Sequence, residues 1–361
     1  MRHVDRCNNF GWKGAGGLWG IFFGLIMWIA IFVKFIEDLL AYIDDSFGLD
    51  EGKNMLYYPP YAKSFPTKQT KLLMLWDEIG IPHSEAKQVY GRKLTIIGFE
   101  VDSDTMTVTM PLTSRTDLIT AIRSFAQPKQ RRSLRDFQRL AGWMNWALNV
   151  YPRLRPGLSI MYNKMAGKSD PFRMIWVSVS LCRELHWFAE HVESSDGIYI
   201  LDSVEWDVSA ADIILYCDAC PLSLAFWCPQ YQCGFQYLVD PTTKEDIWFL
   251  ESLAVLSALV WALTIASCRP RRVVIFTDNT NTVDMFNSLR ANPSHNPILI
   301  TAVNILLEQN ADLRVMHIPG EMNVVADCLS RFNNTGATML VPGLQTAPFI
   351  PPHLSLGAVI Q

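Results

Sequence analysis

Ile213-Ile214-Leu215-Tyr216-Cys217-Asp218 and Val273-Val274-Ile275-Phe276-Thr277-Asp278 share one form: an apolar, β-prone run closed by an aspartate. Such runs read as buried strands. Between them Glu251 opens the apolar, helix-length stretch Leu250 to Ala266, and beyond them Asp327 lies in Asn323-Val324-Val325-Ala326-Asp327-Cys328-Leu329-Ser330-Arg331. Strand-like and helix-like segments thus alternate from Asp212 to Arg331, the pattern of an α/β domain. Two acids end strands and two sit on predicted helices, so a compact fold can bring all four to one end of a sheet. Carboxylates crowded together repel and take up protons unless a cation holds them. Hard divalent ions such as Mg²⁺ prefer oxygen ligands and leave room for substrate phosphates. A pair of them can clamp the attacking and leaving oxygens of a phosphodiester displacement. The competing reading treats the four acids as helix caps and solvated loop residues.

The order is strand with Asp218, two further strands (Leu222 to Cys228, Gly234 to Val239), helix with Glu251, strand with Asp278, helices, strand Leu313 to Ile318, helix with Asp327. That order resembles ribonuclease H, and the tail His317-Ile318-Pro319-Gly320-Glu321-Met322-Asn323 to Arg331 resembles the version in retrotransposon polyproteins. The resemblance implies a three-layer α/β domain with a mixed five-stranded sheet over residues 197–335. It also implies a nuclease that cuts the RNA strand of an RNA:DNA hybrid with Mg²⁺ (or Mn²⁺) held by Asp218, Glu251, Asp278 and Asp327. Asn323 and Arg331 match the family's tail and are expected to orient the active-site helix or touch phosphate. His317 is expected as a partly buried strand histidine, with a role in product release as the alternative.

At 361 residues the chain has room for two or three domains. Its 50% hydrophobic and 18% charged content excludes wholesale disorder. The net charge of -4 is no nucleic-acid signature by itself, so clustering matters more. Lys129-Gln130-Arg131-Arg132-Ser133-Leu134-Arg135, followed by Arg139, is such a cluster, suited either to phosphates or to an ordinary solvated helix face. Cys217, Cys220, Cys228 and Cys233 have spacings that admit a zinc site, but strand alternation would scatter them over both faces of a sheet. Buried thiols in a reducing, intracellular compartment, cytoplasmic or nuclear, are expected instead, without a disulfide framework.

Toward the amino terminus, Gly17 to Val33 is apolar throughout and flanked by Lys13 and Lys34. About twenty apolar residues suffice to cross a bilayer, so residues 14–33 read either as a membrane span or as a buried helix. Leu39-Leu40-Ala41-Tyr42-Ile43-Asp44-Asp45-Ser46-Phe47 follows as an apolar strand ending in two carboxylates. Tyr42-Ile43-Asp44-Asp45 resembles the Y-x-D-D hairpin of reverse transcriptases, in which the residue matching Asp44 binds Mg²⁺ with the incoming nucleotide and Asp45 stands beside it. The glycine-rich Phe10 to Gly17 sits where that family has a loop lining the template and nucleotide site. The resemblance makes residues 1–110 a partial α+β palm. Its upstream Asp and fingers have no match among the 41 residues before Tyr42, so the chain is expected to be an amino-terminally truncated fragment whose polymerase activity is doubtful.

Asp50 to Lys68 reads as a turn-rich surface loop, and Thr70 to Ile79 as a helix ending at Gly80. Leu94 to Asp102 and Thr105 to Met110 read as two strands joined by a polar turn. Lys87, Gly98 and Phe99 match the end of the retroelement palm, where a lysine precedes a strand pair supporting the primer. Residues 111–196 read as a helical thumb or connection: helices over Thr116 to Phe125, Ser133 to Val150 and Pro171 to Val192, the second with an N-cap Ser133 and Asp136 three residues on. Leu134 to Trp146 resembles the thumb of gypsy-like and DIRS-like elements, with Arg132, Arg135 and Arg139 set toward a template-primer duplex. The helix from Trp248 to Ala266 admits a second membrane span as well as a central core helix. Residues 336–361, with Pro342, Pro348, Pro351 and Pro352, read as an irregular, partly disordered tail. Two other classes stay open: a catalytically decayed relic that binds nucleic acid without cutting it, and a membrane-attached protein.

Overall fold

The computed structural model describes residues 13–51, 54–195, 197–200, 205–240, 245–264 and 269–355. The chain divides into two compact units, Met1–Pro111 with Tyr199–Leu201, and Leu112–Ile198 with Asp202–Gln361.

In the first unit, helix α1 (Ala15–Trp28) runs on through a π-helical turn, Ile29–Val33. By length and composition it is apolar enough to cross a membrane. One of its faces, Phe23, Ile26, Met27 and Ala30, packs on Leu72, Leu75 and Trp76 of α2 (Thr67–Ile79). Leu18, Ile21, Phe22, Leu25 and Trp28 are exposed. The stretch Leu39 to Phe47 forms a hairpin, β1 (Leu39–Tyr42) and β2 (Asp45–Gly48), turning at Ile43 with φ 55°, so the hairpin implied by Tyr42-Ile43-Asp44-Asp45 is present and the apolar strand ends at Tyr42. The supposed loop after it is also a hairpin, β3 (Met55–Tyr58) and β4 (Lys63–Pro66). It is anchored by Tyr58, which is buried and donates to Asp77 Oδ2 at 2.5 Å. Three strands, not two, follow: β5 (Lys93–Ile96), β6 (Phe99–Asp102) and β7 (Thr107–Thr109), an antiparallel meander. The tight turn at Ile97 and Gly98, both at positive φ, splits what reads as one continuous strand.

The second unit begins with helices. α3 (Leu112–Phe125) precedes a short strand β8 (Arg131–Ser133) and α4 (Leu134–Ala147), which opens on the expected capping box of Ser133 and Asp136. The apolar stripe Leu134, Phe137, Leu140, Ala141, Met144 and Ala147 is buried as its spacing requires. After α5 (Ser159–Met165) the expected helix from Pro171 starts eight residues late. β9 (Met174–Trp176) pairs with β8, and Ser178 caps α6 (Val179–Ser194) by accepting from Leu181 N. β10 (Ile198–Tyr199) follows, with Ile198 in the second unit and Tyr199 in the first.

The sheet follows. Its strands are β11 (Ile213–Cys220), β12 (Ser223–Cys228), β13 (Cys233–Leu238), β14 (Arg272–Thr277), β15 (Asp312–His317) and β16 (Gln345–Pro348), in the order β15-β14-β11-β12-β13-β16. β11, β14 and β15 are parallel, and β12 and β13 run antiparallel beside them. The five expected strands are therefore present. The sixth comes from the segment read as an irregular tail: α11 (Asn334–Leu340) leads to β16, which lies parallel to β13. Residues 356–361 of that tail lie outside the described residues.

Alternation along β11 sends Ile213, Leu215, Cys217 and Ala219 to one face, where α7 (Ile247–Thr264) buries them with α8 (Thr280–Ser288) and α9 (Asn296–Glu308). Fully burying one such aliphatic side chain contributes about 1.5–3 kcal/mol, which accounts for the apolarity of α7 as a core helix. Helix α10 (Val324–Ser330) covers the opposite face, so the domain has three layers. The seat is close: a Cβ on Gly234 would lie 2.7 Å from Leu329 Cδ1. The cysteines follow the same alternation, with Cys217 and Cys228 in the core on the α7 side and Cys220 meeting Ser330 O on the other. They remain free thiols.

Candidate metal centre

Asp218 sits inside β11, Asp278 one residue past the end of β14, and Glu251 in the second turn of α7. Because β11 and β14 are parallel neighbours, their carboxyl ends coincide, and the start of α7 returns to the same place. One ligand oxygen from each of the three acids lies within 4.8 Å of the others. Asp218 is 6% and Glu251 4% exposed. The donor set is purely carboxylate oxygen, which suits a hard divalent cation and not zinc.

Electrostatics point the same way. Burial, then the neighbouring Asp278 and Asp327 charges, pushes the Asp218 carboxyl up to about 6 against a donated Ser330 hydrogen bond. Burial, with the charges of Asp218 and Asp278, pushes Glu251 up to about 9. Thr277 Oγ1 donates to Glu251 Oε2 at 3.4 Å, a long contact that offsets little of this. Three acids held in this way favour a shared cation strongly.

Asp327 is on α10 and stands outside the group of three. Its Oδ1 accepts from Arg331 Nε at 2.8 Å, one helical turn on, yet its charge still bears on Asp218. Asn323 is 2% exposed and donates from Nδ2 to Cys217 O at 2.8 Å, tying the start of α10 to β11. Its Oδ1 is buried without a hydrogen-bond partner. Arg331 is thus taken up by Asp327 and Asn323 by the strand. His317 ends β15 opposite Thr277, at the same end of the sheet as the acids, but it is exposed rather than partly buried.

The remaining candidates lie elsewhere. Asp44 and Asp45 are exposed at the tip of the β1–β2 hairpin, whose Ile43 O accepts from Trp19 Nε1 at 2.9 Å. Among the described residues no group of three ligating side chains includes them. Phe10 to Trp12 of the glycine-rich loop fall outside the described residues. Lys87 is exposed on a short 3-10 turn. Arg135 and Arg139 are exposed on α4. Arg132 is committed: its Nη2 donates to Ser124 O at 3.0 Å and its guanidinium lies over Phe125 at 5.8 Å.

Two contacts to the acids escape a reading of motifs. A Cβ on Gly320 would meet Asp278 Oδ2 at 3.0 Å, so the glycine leaves room for the carboxylate. The Ser330 hydroxyl donates to Asp218 Oδ2. Both residues lie inside the tail motif, but nothing in the spacing shows which acid each one serves.

A family model described as reverse transcriptase-like matches residues 250–333. No curated protein matches the sequence at a significant level. The solved structures similar to the chain include two of foamy viral protease-reverse transcriptase. The dRH form in complex with double-stranded DNA has a TM-score of 0.38 and 12% identity, covering 84% of this chain and 49% of that one. The form in complex with RNA/DNA hybrid has a TM-score of 0.40 and 13% identity, covering 96% and 41%. The chain thus spans less than half the length of either. The matched residues 250–333 carry Glu251, Asp278 and Asp327, and this segment is similar to the reverse transcriptase-like family; Asp218 and its strand lie outside the match.

Proposed function

We propose that the chain is a metal-dependent nuclease of the ribonuclease H type that hydrolyses the RNA strand of RNA:DNA hybrids. The observation that carries this reading is the approach of Asp218, Glu251 and Asp278 to within 4.8 Å at the carboxyl ends of two parallel strands. Those three residues would hold Mg²⁺ or Mn²⁺, and Asp327 would join them once released from Arg331. When bound, such ions supply Lewis-acid charge to a phosphodiester and its attacking water.

The chain's own residues do the rest. The two parallel strand ends and the start of α7 hold the three carboxylates close before any ligand arrives. Arg331 is exposed beside Asp327 and can exchange that partner for a backbone phosphate. His317, exposed at the same sheet end, is available to a leaving strand. Arg135 and Arg139 offer charge to a duplex backbone, and hybrid is distinguished by groove width and 2′-hydroxyl contacts. Asp44 and Asp45 take no part in this reaction: they are exposed on the β1–β2 hairpin, and among the described residues no third ligating acid joins them.

Cleavage of a labelled hybrid by the full chain in Mg²⁺ tests this reading. The RNA strand should be cut by the parent and left intact by Asp278→Asn. Equal cutting by both would overturn the assignment of the site. Hybrid binding without cutting in either Mg²⁺ or Mn²⁺ would favour a decayed relic.

A further inference from the structure

Ser330 is fully buried at the end of α10, and its hydroxyl donates to Asp218 Oδ2. The helix end that carries it is itself fixed to the sheet. The Ser223 hydroxyl on β12 donates to Ser330 O, and Gln236 Nε2 on β13 donates to Leu329 O at 2.7 Å. Ser223 and Gln236 are 2% and 7% exposed. Two buried side chains therefore clamp the main chain on either side of the Ser330 Cα, and the clamped residue presents one hydroxyl to an acid of the metal centre. That hydroxyl has one hydrogen to give. Asp327 O also lies 3.0 Å away, but an ionised carboxylate is the stronger acceptor.

We propose that Ser330 is a positioning residue for the divalent cation: its hydrogen bond to Oδ2 fixes the rotation of the Asp218 carboxylate and so aims the remaining lone pairs at the ion. The inference rests on the reading of Asp218, Glu251 and Asp278 as a metal site. An aspartate carboxylate turns about a broad, soft torsion, so without a donor behind it the group would share its orientations among several. Donors standing behind a metal ligand are typically worth 10- to 100-fold in metal affinity. A merely structural Ser330 would anchor α10 and leave the ion unaffected. Ser223 supplies the comparison, because its removal frees the same helix end while sparing the bond to Asp218.

The test is isothermal titration of the full chain with Mn²⁺, alongside thermal melting without metal, for the parent, Ser330→Ala, Ser330→Cys, Ser223→Ala and Asp278→Asn. Ser330→Ala should bind Mn²⁺ at least about tenfold more weakly, while Ser223→Ala melts at a similar temperature and keeps the parent affinity. Ser330→Cys, similar in volume with a weak donor, should fall between and gives the answer if the alanine variant does not fold. Parent affinity in Ser330→Ala or Ser330→Cys, or an equal loss in Ser223→Ala, would overturn the proposal. If Asp278→Asn abolishes Mn²⁺ binding while the Ser330 variants keep it, the positioning role alone falls. A parent that binds no Mn²⁺ would remove both this role and the metal site on which it rests.

Discussion

Gly320 and Asp278 approach so closely that a Cβ on the glycine would stand 3.0 Å from the Asp278 Oδ2. The Pro319-Gly320 turn after β15 thus forms a wall of the candidate site, and its smallest residue stands where the acid needs space. Gly320→Ala must displace either the turn or the carboxylate. The carboxylate is the softer of the two, so Mn²⁺ affinity and hybrid cleavage should each fall by roughly tenfold or more, with the melting temperature nearly unchanged. Parallel measurement of affinity and melting checks this, and an unaltered affinity would show that the turn gives way instead.

Proton release on metal binding follows from the raised carboxyls. With Asp218 up at about 6 and Glu251 up at about 9, a cation arriving at pH 7 meets an ionised Asp218 and a protonated Glu251. Binding should therefore release about one proton at pH 7 and approach two below pH 6, and affinity should rise with pH across this range. Titrations with Mg²⁺ in buffers of different ionisation enthalpy give the proton count directly. A count of zero at pH 7 would contradict the electrostatics of the site.

A second buried acid reports on stability. Glu184 accepts from Ile160 N at 2.9 Å and Asn296 Nδ2 at 2.6 Å, yet burial pushes its carboxyl up to about 7. The folded chain holds this proton more tightly than the unfolded one, so the contribution to stability is fully present below the unfolded value near 4.5. It is lost as pH rises through about 7. The loss is on the order of 3 kcal/mol. Glu184→Gln cannot ionise, so its unfolding free energy relative to the parent should improve between pH 4.5 and pH 8 by that order. Urea unfolding at the two pH values measures it, and a constant difference would count against the assignment.

The packing of α10 on the sheet has its own test. With Leu329 Cδ1 2.7 Å from the position of an added Cβ, Gly234→Ala should cost about 1–3 kcal/mol by overpacking. It should also loosen the helix that carries Asp327. Truncating Leu329 to Ala in the same background should recover part of that cost, measured as a double-mutant cycle in denaturant.

The sheet and its acids were legible because their signals are local. β11 and β14 announce themselves as apolar runs closed by Asp218 and Asp278, and the capping box at Ser133 names the start of α4. What escaped is set by register and tertiary contact. Ile97 and Gly98 turn the chain back inside the β-prone stretch Leu94 to Asp102, where the lone glycine is the only local sign that separates two strands from one. Arg131 and Arg132 read as parts of one basic cluster. The strand pairing of β8 with β9 instead places Arg131 over Trp176 at 4.2 Å and turns Arg132 toward Phe125. β16 is an edge strand with a proline and no alternating pattern, and it exists by virtue of the open edge of β13. At the site, the acids could be named from the chain, but their supports Gly320 and Ser330 became distinguishable once Asp278 and Asp218 were in place.

Anomalous diffraction from crystals of the full chain soaked in Mn²⁺ tests the central claim most directly. The account predicts Mn²⁺ density among the carboxylates of Asp218, Glu251 and Asp278, and none there in Asp278→Asn. Crystals with no ion among the three acids, or with the ion unchanged in Asp278→Asn, would contradict it.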